Sequence, residues 1–204
     1  FALDGLKLSS NASKEWSGKR SYLKKKKKKL EKKVKQLIKE QVEEDKGKDN
    51  EGKGGGASGL SNREKRIEKL QKQADRIEKF LKENGPKLGR QGREIKSNVT
   101  DNESAMMTTP HGTIQGYNGQ ALVDAKHQVI VHGEAFGSNH DYGHFAPMVD
   151  GAKDNLHSIG HERDCFSGRI LTADSNYHCT SNLEKCDQEG IDAYIPDIRF
   201  RTRD

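Results

Sequence analysis

Ile170-Leu171-Thr172-Ala173-Asp174-Ser175-Asn176-Tyr177 is the stretch that decides the fold. A short apolar run ends in an acid, a polar turn follows at once, and a helix-like segment begins at Ser181-Asn182-Leu183-Glu184. That order predicts a buried strand delivering a carboxylate to its C-terminal edge, where open α/β sheets place their sites. One acid at a strand end is commonly a structural cap, so Asp174 alone defines no chemistry. A second acid has similar framing at the other end of the chain, in Phe1-Ala2-Leu3-Asp4-Gly5-Leu6-Lys7-Leu8. Two strand-borne carboxylates far apart in sequence are what a two-metal phosphoryl-transfer site requires.

The 204 residues suffice for one domain, or a small domain with an appendage. Only 30% are hydrophobic and 33% are charged, which is poor material for one compact core. The apolar residues concentrate after Thr113, so the core is expected to be small and C-terminal. Net charge is +6 and the pI about 9.1, which favours an anionic partner, nucleic acid being the commonest. No stretch is apolar for the ~20 residues a membrane span needs. Cys165, Cys179 and Cys186 are an odd count in a chain too large to depend on disulfides, which suits a reducing cytosol. The chain opens on Phe1 inside a strand-like run and closes without a stop signal, so it reads as a fragment of a longer protein.

Between the two acids the pattern changes. Residues 24–29 are an unbroken lysine run, and Leu23, Leu30, Val34 and Leu37 recur at helical spacing with Ile38 and Val42 beside them. Lysines come early and acids late in this segment, against the helix macrodipole, so the helix needs a partner. Residues 47–59 read as a flexible Gly-, Lys- and Ser-rich loop. Ser61-Asn62-Arg63-Glu64 reads as a capping box and Asn84-Gly85-Pro86 as a stop. Ile67, Leu70, Ala74, Ile77 and Leu81 step by three and four between them, a narrow coiled-coil seam. Asp75 with Lys79 and Glu78 with Lys82 add ion pairs at four-residue spacing. Two helices from about residue 21 to 83 are therefore expected to form an antiparallel hairpin, followed by a basic linker to residue 97. Strands are predicted at 113–123 and 128–135 around an Asp124-Ala125-Lys126-His127 turn, a helix at 144–158, a strand at 169–173, a helix at 181–189 and a short strand at 192–195.

Three blocks carry a family resemblance: LDGLKLSSNASK (residues 3–14), TIQGYNGQALVDAKHQVIV (113–131) and LTADSNYHCTSNLEK (171–185). In this order they resemble the D-G-T-K-x-x-A-N-A-S, G-Y-N-A-Q-x-x-V-D and A-D-A-G-Y blocks of DDE-type transposases of bacterial insertion sequences. Leu6, Gly119 and Asn176 stand where that family has Thr, Ala and Gly; Asn is the next-best residue for a left-handed turn. The resemblance implies an α/β fold: a ribonuclease H-like mixed sheet with flanking helices, interrupted after its first strand by the hairpin. The expected divisions are 1–16 (first core strand), 17–97 (hairpin and basic linker) and 98–204 (rest of the core). It implies Asp4 and Asp174 as catalytic, metal-holding carboxylates on adjacent strands facing one pocket, with Mg²⁺ or Mn²⁺ as cofactor. DNA, as transposon ends and target, is the implied partner. No membrane is implied, the location is the bacterial cytoplasm at the nucleoid, and a homodimer is compatible. The family's third acid, a glutamate, belongs on a helix past Asp204; Glu184 and Glu189 lie on the wrong helix. On that reading this stretch binds DNA without cutting it.

Asp124 belongs to a family block but fits a hairpin turn better than a metal site. Tyr117, Asn118 and Gln120 serve either DNA or the strand edge. His157, His161, Cys165, His178, Cys179 and Cys186 have irregular spacing with no CxxC pair, a poor zinc pattern. The lysine run is a solvated tract or a phosphate contact without base specificity. The alternative function is a non-catalytic nucleic-acid-binding or scaffold protein built on the basic hairpin. A third reading is a degenerate transposase that keeps the fold without activity.

Overall fold

A period-two alternation buries Leu3 and exposes Asp4, Leu6 and Leu8 in the first strand, which becomes the middle of the sheet. The computed structural model describes residues 1–48, 57–89 and 91–202. In chain order its elements are β1 (Ala2–Ser9), β2 (Ser17–Gly18), α1 (Arg20–Lys48), α2 (Ala57–Glu83), β3 (Ser97–Asn98), β4 (Ala105–Thr109) and β5 (Gly112–Val123). These are followed by β6 (Ile130–Phe136), α3 (Phe145–Ser158), β7 (Ile170–Ala173), α4 (Thr180–Gln188) and β8 (Asp192–Tyr194). The protein is mixed α/β. It divides into two compact units, Phe1–Lys14 with Glu103–Asp204, and Glu15–Asn102.

The first unit is built on a six-stranded mixed sheet of order β4-β5-β1-β7-β8, with β6 also paired to β5. β1 runs antiparallel to β5 and parallel to β7. The twelve-residue β5 is long enough to take β4 along its first half and β6 along its second. Leu3, Leu122 and Leu171 project from three neighbouring strands onto a core completed by Phe145, Met148, Val149 and Ala152 of α3, Cys186 of α4, and Phe166 and Tyr177. The four α3 residues recur at three- and four-residue spacing, the stripe a helix needs to cover a sheet. Truncating one such fully buried large side chain to Ala costs about 2–5 kcal/mol. Lys153 and Lys185 tie α3 to the end of α4 through Glu189, at 2.5 and 2.9 Å, and Lys185 also reaches Asp150 at 2.8 Å.

The β4 strand is absent from the sequence reading, which has no strand between the first one and Thr113. Only Met107 of β4 is buried, so there is no alternation to detect. Pro110 and His111 connect β4 to Gly112, which sits at φ 114° where a side chain would be strained.

The second unit is a helical hairpin closed by a two-stranded ladder of β2 and β3. α1 and α2 run antiparallel, because early α1 meets late α2 at Lys27–Glu78 (3.0 Å) while late α1 meets early α2 at Glu44–Arg63 (2.7 Å). Leu23, Val34, Ala74, Ile77 and Phe80 are buried between them, and Leu30 and Leu81 pack at the margin. Ile38 and Val42 are exposed. The expected seam omitted Phe80, which lies between Ile77 and Leu81 and broadens it. Two further details differ from expectation. α2 already runs from Ala57, so the Ser61 capping box falls inside the helix; extending a nucleated helix through Leu60 gains a hydrogen bond per residue. Asp75 takes a hydrogen bond from Gln71 (2.8 Å) rather than pairing with Lys79, which sits 3.9 Å from Glu83; Glu78–Lys82 forms at 3.1 Å. The predicted loop lies largely in residues 49–56, outside the described residues. The stretch read as a basic linker ends at the start of β3, whose buried Asn98 donates to Ser17 Oγ at 2.8 Å and accepts from the Thr100 and Asp101 amides.

Candidate active site

The parallel pairing of β1 with β7 registers Ala2 with Thr172 and Leu3 with Ala173. Asp4, within β1, and Asp174, the residue just past β7, each follow that last pair by one residue. Both residues are exposed. Pleat alternation turns Asp4 away from the face that buries Leu3. Asp174 has an extended backbone, φ −75° and ψ 172°, and caps the turn after β7: its Oδ1 accepts from the Asn176 amide at 2.8 Å and its Oδ2 from Asn176 Nδ2 at 3.2 Å. Asp4 Oδ1 accepts from the Gly5 amide at 2.7 Å.

Beneath the two acids lies a polar network on the core-facing side of the sheet. The Tyr177 hydroxyl donates to Gln120 Oε1. Gln120 Nε2 donates to Asn118 Oδ1 (2.8 Å) and to Asp141 Oδ1 (3.1 Å). Asn118 Nδ2 donates to the same Asp141 oxygen at 2.6 Å, and Lys7 Nζ reaches it at 3.2 Å while also donating to the Asn139 carbonyl. Asn118, Gln120 and Tyr177 are almost fully buried, where unpaired polar groups cost about 1–3 kcal/mol each, so the network must be complete. Burial, and then the charges of Asp141, Asp174 and Asp4, push the Tyr177 phenol far above its usual range. It therefore keeps its proton and acts as a donor. The same effect shows that all three carboxylates lie within electrostatic reach of one hydroxyl.

Gly5 is the position that makes this possible. It is paired with Gln120, and a Cβ there would fall 2.2 Å from Gln120 Nε2. The Gln120 amide lies over the bare backbone of Gly5, so the Asp-Gly pair places a carboxylate beside a glycine that admits the network under it. Gly119 carries no such demand: an added Cβ would meet chiefly the far end of the exposed Leu8 side chain.

Asn182, also buried, donates to the carbonyls of Tyr142 (2.9 Å) and Tyr177 (2.8 Å), tying α4 to the turn after β7. A cleft of about 380 Å³ opens beside these segments, lined by Lys7, Asp141, Tyr142, Asn176, His178 and Cys179 among others. Neither Asp4 nor Asp174 is among its lining residues. Asn118 and Gln120 are engaged inside the sheet, which resolves their open assignment: they brace the strands. Sequence reading passed over Asp141, Lys7 and Asn182 as participants. Lys7 and Asn182 sat inside the quoted blocks; Asp141 lies in a polar loop with no periodicity to mark it.

The rival sites have structural roles. Asp124 Oδ2 accepts from the His127 amide at 2.8 Å, and that hydrogen bond holds its carboxyl below the usual range. Glu189 is depressed likewise by Lys153 and Lys185. Among the described residues no group of three or more His, Cys, Asp or Glu side chains is arranged to hold a metal ion. Comparison with protein-family models, with curated proteins and with solved structures finds no match to this chain.

Proposed function

We propose that the α/β unit is the ribonuclease H-like core of a DDE-type insertion-sequence transposase, with Asp4 and Asp174 as its metal-holding carboxylates. The observation that carries this reading is the parallel register of Leu3 with Ala173, which gives two acids from opposite ends of the chain adjacent positions. The sheet order supports it. Taking β1, β5, β6 and β7 as the first four core strands, the first and fourth lie side by side, as the family resemblance implies.

The donor set fits a hard, hydrated cation. Both residues are exposed carboxylates, and their hydrogen bonds, to Gly5 for Asp4 and to Asn176 for Asp174, come from neutral groups rather than cationic partners. Such oxygens suit Mg²⁺ or Mn²⁺, which keeps several waters when few carboxylates are offered. When bound, the ion supplies activation of a water or 3′-hydroxyl and stabilisation of the leaving oxygen at a DNA phosphodiester. The chain's own contribution is positional. The amide and side chain of Asn176 fix Asp174, while Tyr177, through Gln120, ties the turn after β7 to the strands beside Asp4.

The test is Mn²⁺ binding to the intact chain, followed by electron paramagnetic resonance. Weak binding is expected, and Asp4→Asn and Asp174→Asn should each weaken it by roughly tenfold or more. Equal Mn²⁺ affinity in both variants and the parent would remove these residues from the site. A second reading has its own support, the concentration of positive charge in the hairpin unit: a nucleic-acid-binding protein without catalysis. It predicts DNA binding with no metal affinity at Asp4 and Asp174.

A further inference from the structure

The hairpin unit, Glu15–Asn102, holds 27 lysines and arginines against 15 aspartates and glutamates, a net charge of +12. Its most conspicuous feature in sequence, the lysine run at 24–29, does not form a line: its exposed members, Lys24, Lys25, Lys28 and Lys29, spread over an arc of roughly 140°. Consecutive helical residues are about 100° apart, so six in a row spread around the whole cylinder. Two of them are used within the unit: Lys27 pairs with Glu31 and Glu78, and Lys26 sits 4.4 Å over the Trp16 ring and donates to the Glu15 carbonyl.

α2 is organised differently. Lys65, Lys69, Lys72 and Arg76 are spaced by four, three and four residues, which puts four exposed cations in one line. The line is about 16 Å long at 1.5 Å per residue. Each step is roughly one helical turn, and 16 Å spans about five phosphate intervals of one DNA strand. The four cations border a shallow groove of about 400 Å³ that ends against Trp16, with the Arg76 guanidinium 5.9 Å from that ring. Glu68 also lines it, neutralised by Lys72 at 2.6 Å, so the groove keeps a surplus of three positive charges.

We propose that this α2 groove, from Lys65 to Arg76 and closed by Trp16, is the surface that grips the phosphate backbone of double-stranded DNA. It shares with the proposed function only the premise that the partner is DNA. The occupant follows from charge: a regular anionic rail matches a straight row of cations. The cation–π contacts hold the two positive groups beside Trp16, lowering the entropy lost when they meet phosphate.

Two measurements test it on the full chain. Trp16 is the chain's single tryptophan, so its emission reports the groove directly. Titration with a duplex oligonucleotide should change that emission at the same concentrations that raise the anisotropy of a labelled duplex. In the second, a variant carrying Lys65→Gln, Lys69→Gln, Lys72→Gln and Arg76→Gln is set against an equal-charge control with Lys24, Lys25, Lys28 and Lys29 changed to Gln. The α2 variant should lose roughly a hundredfold in affinity near 0.1 M salt, and its salt slope should fall by about 3–4. The control should lose much less. All eight positions are exposed, and circular dichroism with the single Lys69→Gln variant guards against unfolding. Equal or larger loss in the control, or anisotropy without a Trp16 response, overturns the assignment and leaves DNA as partner. Tighter binding to single strands overturns the duplex backbone as ligand. No binding to any DNA overturns both this surface and the shared premise, whatever the Mn²⁺ experiment gives.

Discussion

Residues 15–102 carry a net +12, whereas the α/β unit holds 10 lysines and arginines against 16 aspartates and glutamates, a net −6. The overall +6 is the residue of two opposed fields, and a pI computed for the whole chain describes neither. The excess positive charge belongs to the helical unit. The α/β unit repels phosphate, and Asp4 and Asp174 add to that repulsion unless a cation lies between them and the DNA. On the proposed function, a core handling DNA on such a surface would need divalent ions for contact as well as for chemistry.

The units also differ in how they are held together. The α/β unit has a core with Phe145, Phe166 and Tyr177 fully enclosed; the helical unit has a smaller cluster of Leu23, Ile77, Phe80 and Val99. Phe145→Ala is the sharpest way to separate them. It should destabilise the α/β unit by about 3–5 kcal/mol through lost burial and a residual cavity. Hydrogen exchange should quicken throughout α3, β1 and β7, while amides of α1 and α2 and the emission of Trp16 stay as they were. Equal acceleration in both units would show that they unfold as one and would break the comparison.

Much of this division was legible in sequence, for a physical reason. Each unit announces itself by its own period: three-and-four spacing from Leu23 to Leu81, and short apolar runs with turns after Thr113. Strand β7 and helix α3 were readable because one face of each is uniformly apolar. What sequence could not supply was partnership. Nothing local indicates that Gly5 lies against Gln120, that Asp141 gathers hydrogen bonds from Lys7, Asn118 and Gln120, or that Asp75 prefers Gln71 to Lys79. Those depend on register and on which of several nearby donors arrives first. The carboxylate pair is intermediate: Asp174 stands out at the end of an apolar strand and Asp4 inside one, but their adjacency is set by the pairing of Leu3 with Ala173.

Tyr177→Phe tests the network under those acids and should cost less, about 1–3 kcal/mol, because it leaves Gln120 Oε1 buried without its donor. Its more telling effect is on Mn²⁺. If the tyrosine positions Asp174, the variant should bind Mn²⁺ more weakly while Trp16 and DNA affinity stay unchanged. Lower stability with Mn²⁺ binding intact would reduce Tyr177 to a core residue.

The smallest expected effect is on pH dependence, and it again separates the units, since all eight histidines lie in the α/β unit. His144 is buried, stacked on Phe136 at 3.9 Å, with its Nε2 2.9 Å from Ser138 Oγ. Burial lowers its pKa from the ordinary 6.5, opposed by the Asp141 charge and assisted by that of Lys7. The folded state thus resists a proton that the unfolded chain accepts. The stability owed to neutral His144 is fully present above about pH 6.5 and is lost as pH falls through that value toward the lowered folded pKa. Glu189 does not confuse this window, because its pKa lies below 4.5 and its contribution fails only in stronger acid. Melting of the α/β unit should therefore drop between pH 7 and 5.5, and His144→Phe, which keeps a ring against Phe136, should flatten that drop. The helical unit, without a histidine, should melt at one temperature across the interval. A pH response of equal size in the His144→Phe protein would shift the cause to other groups of the acidic unit, and a matching response at Trp16 would undo the separation altogether.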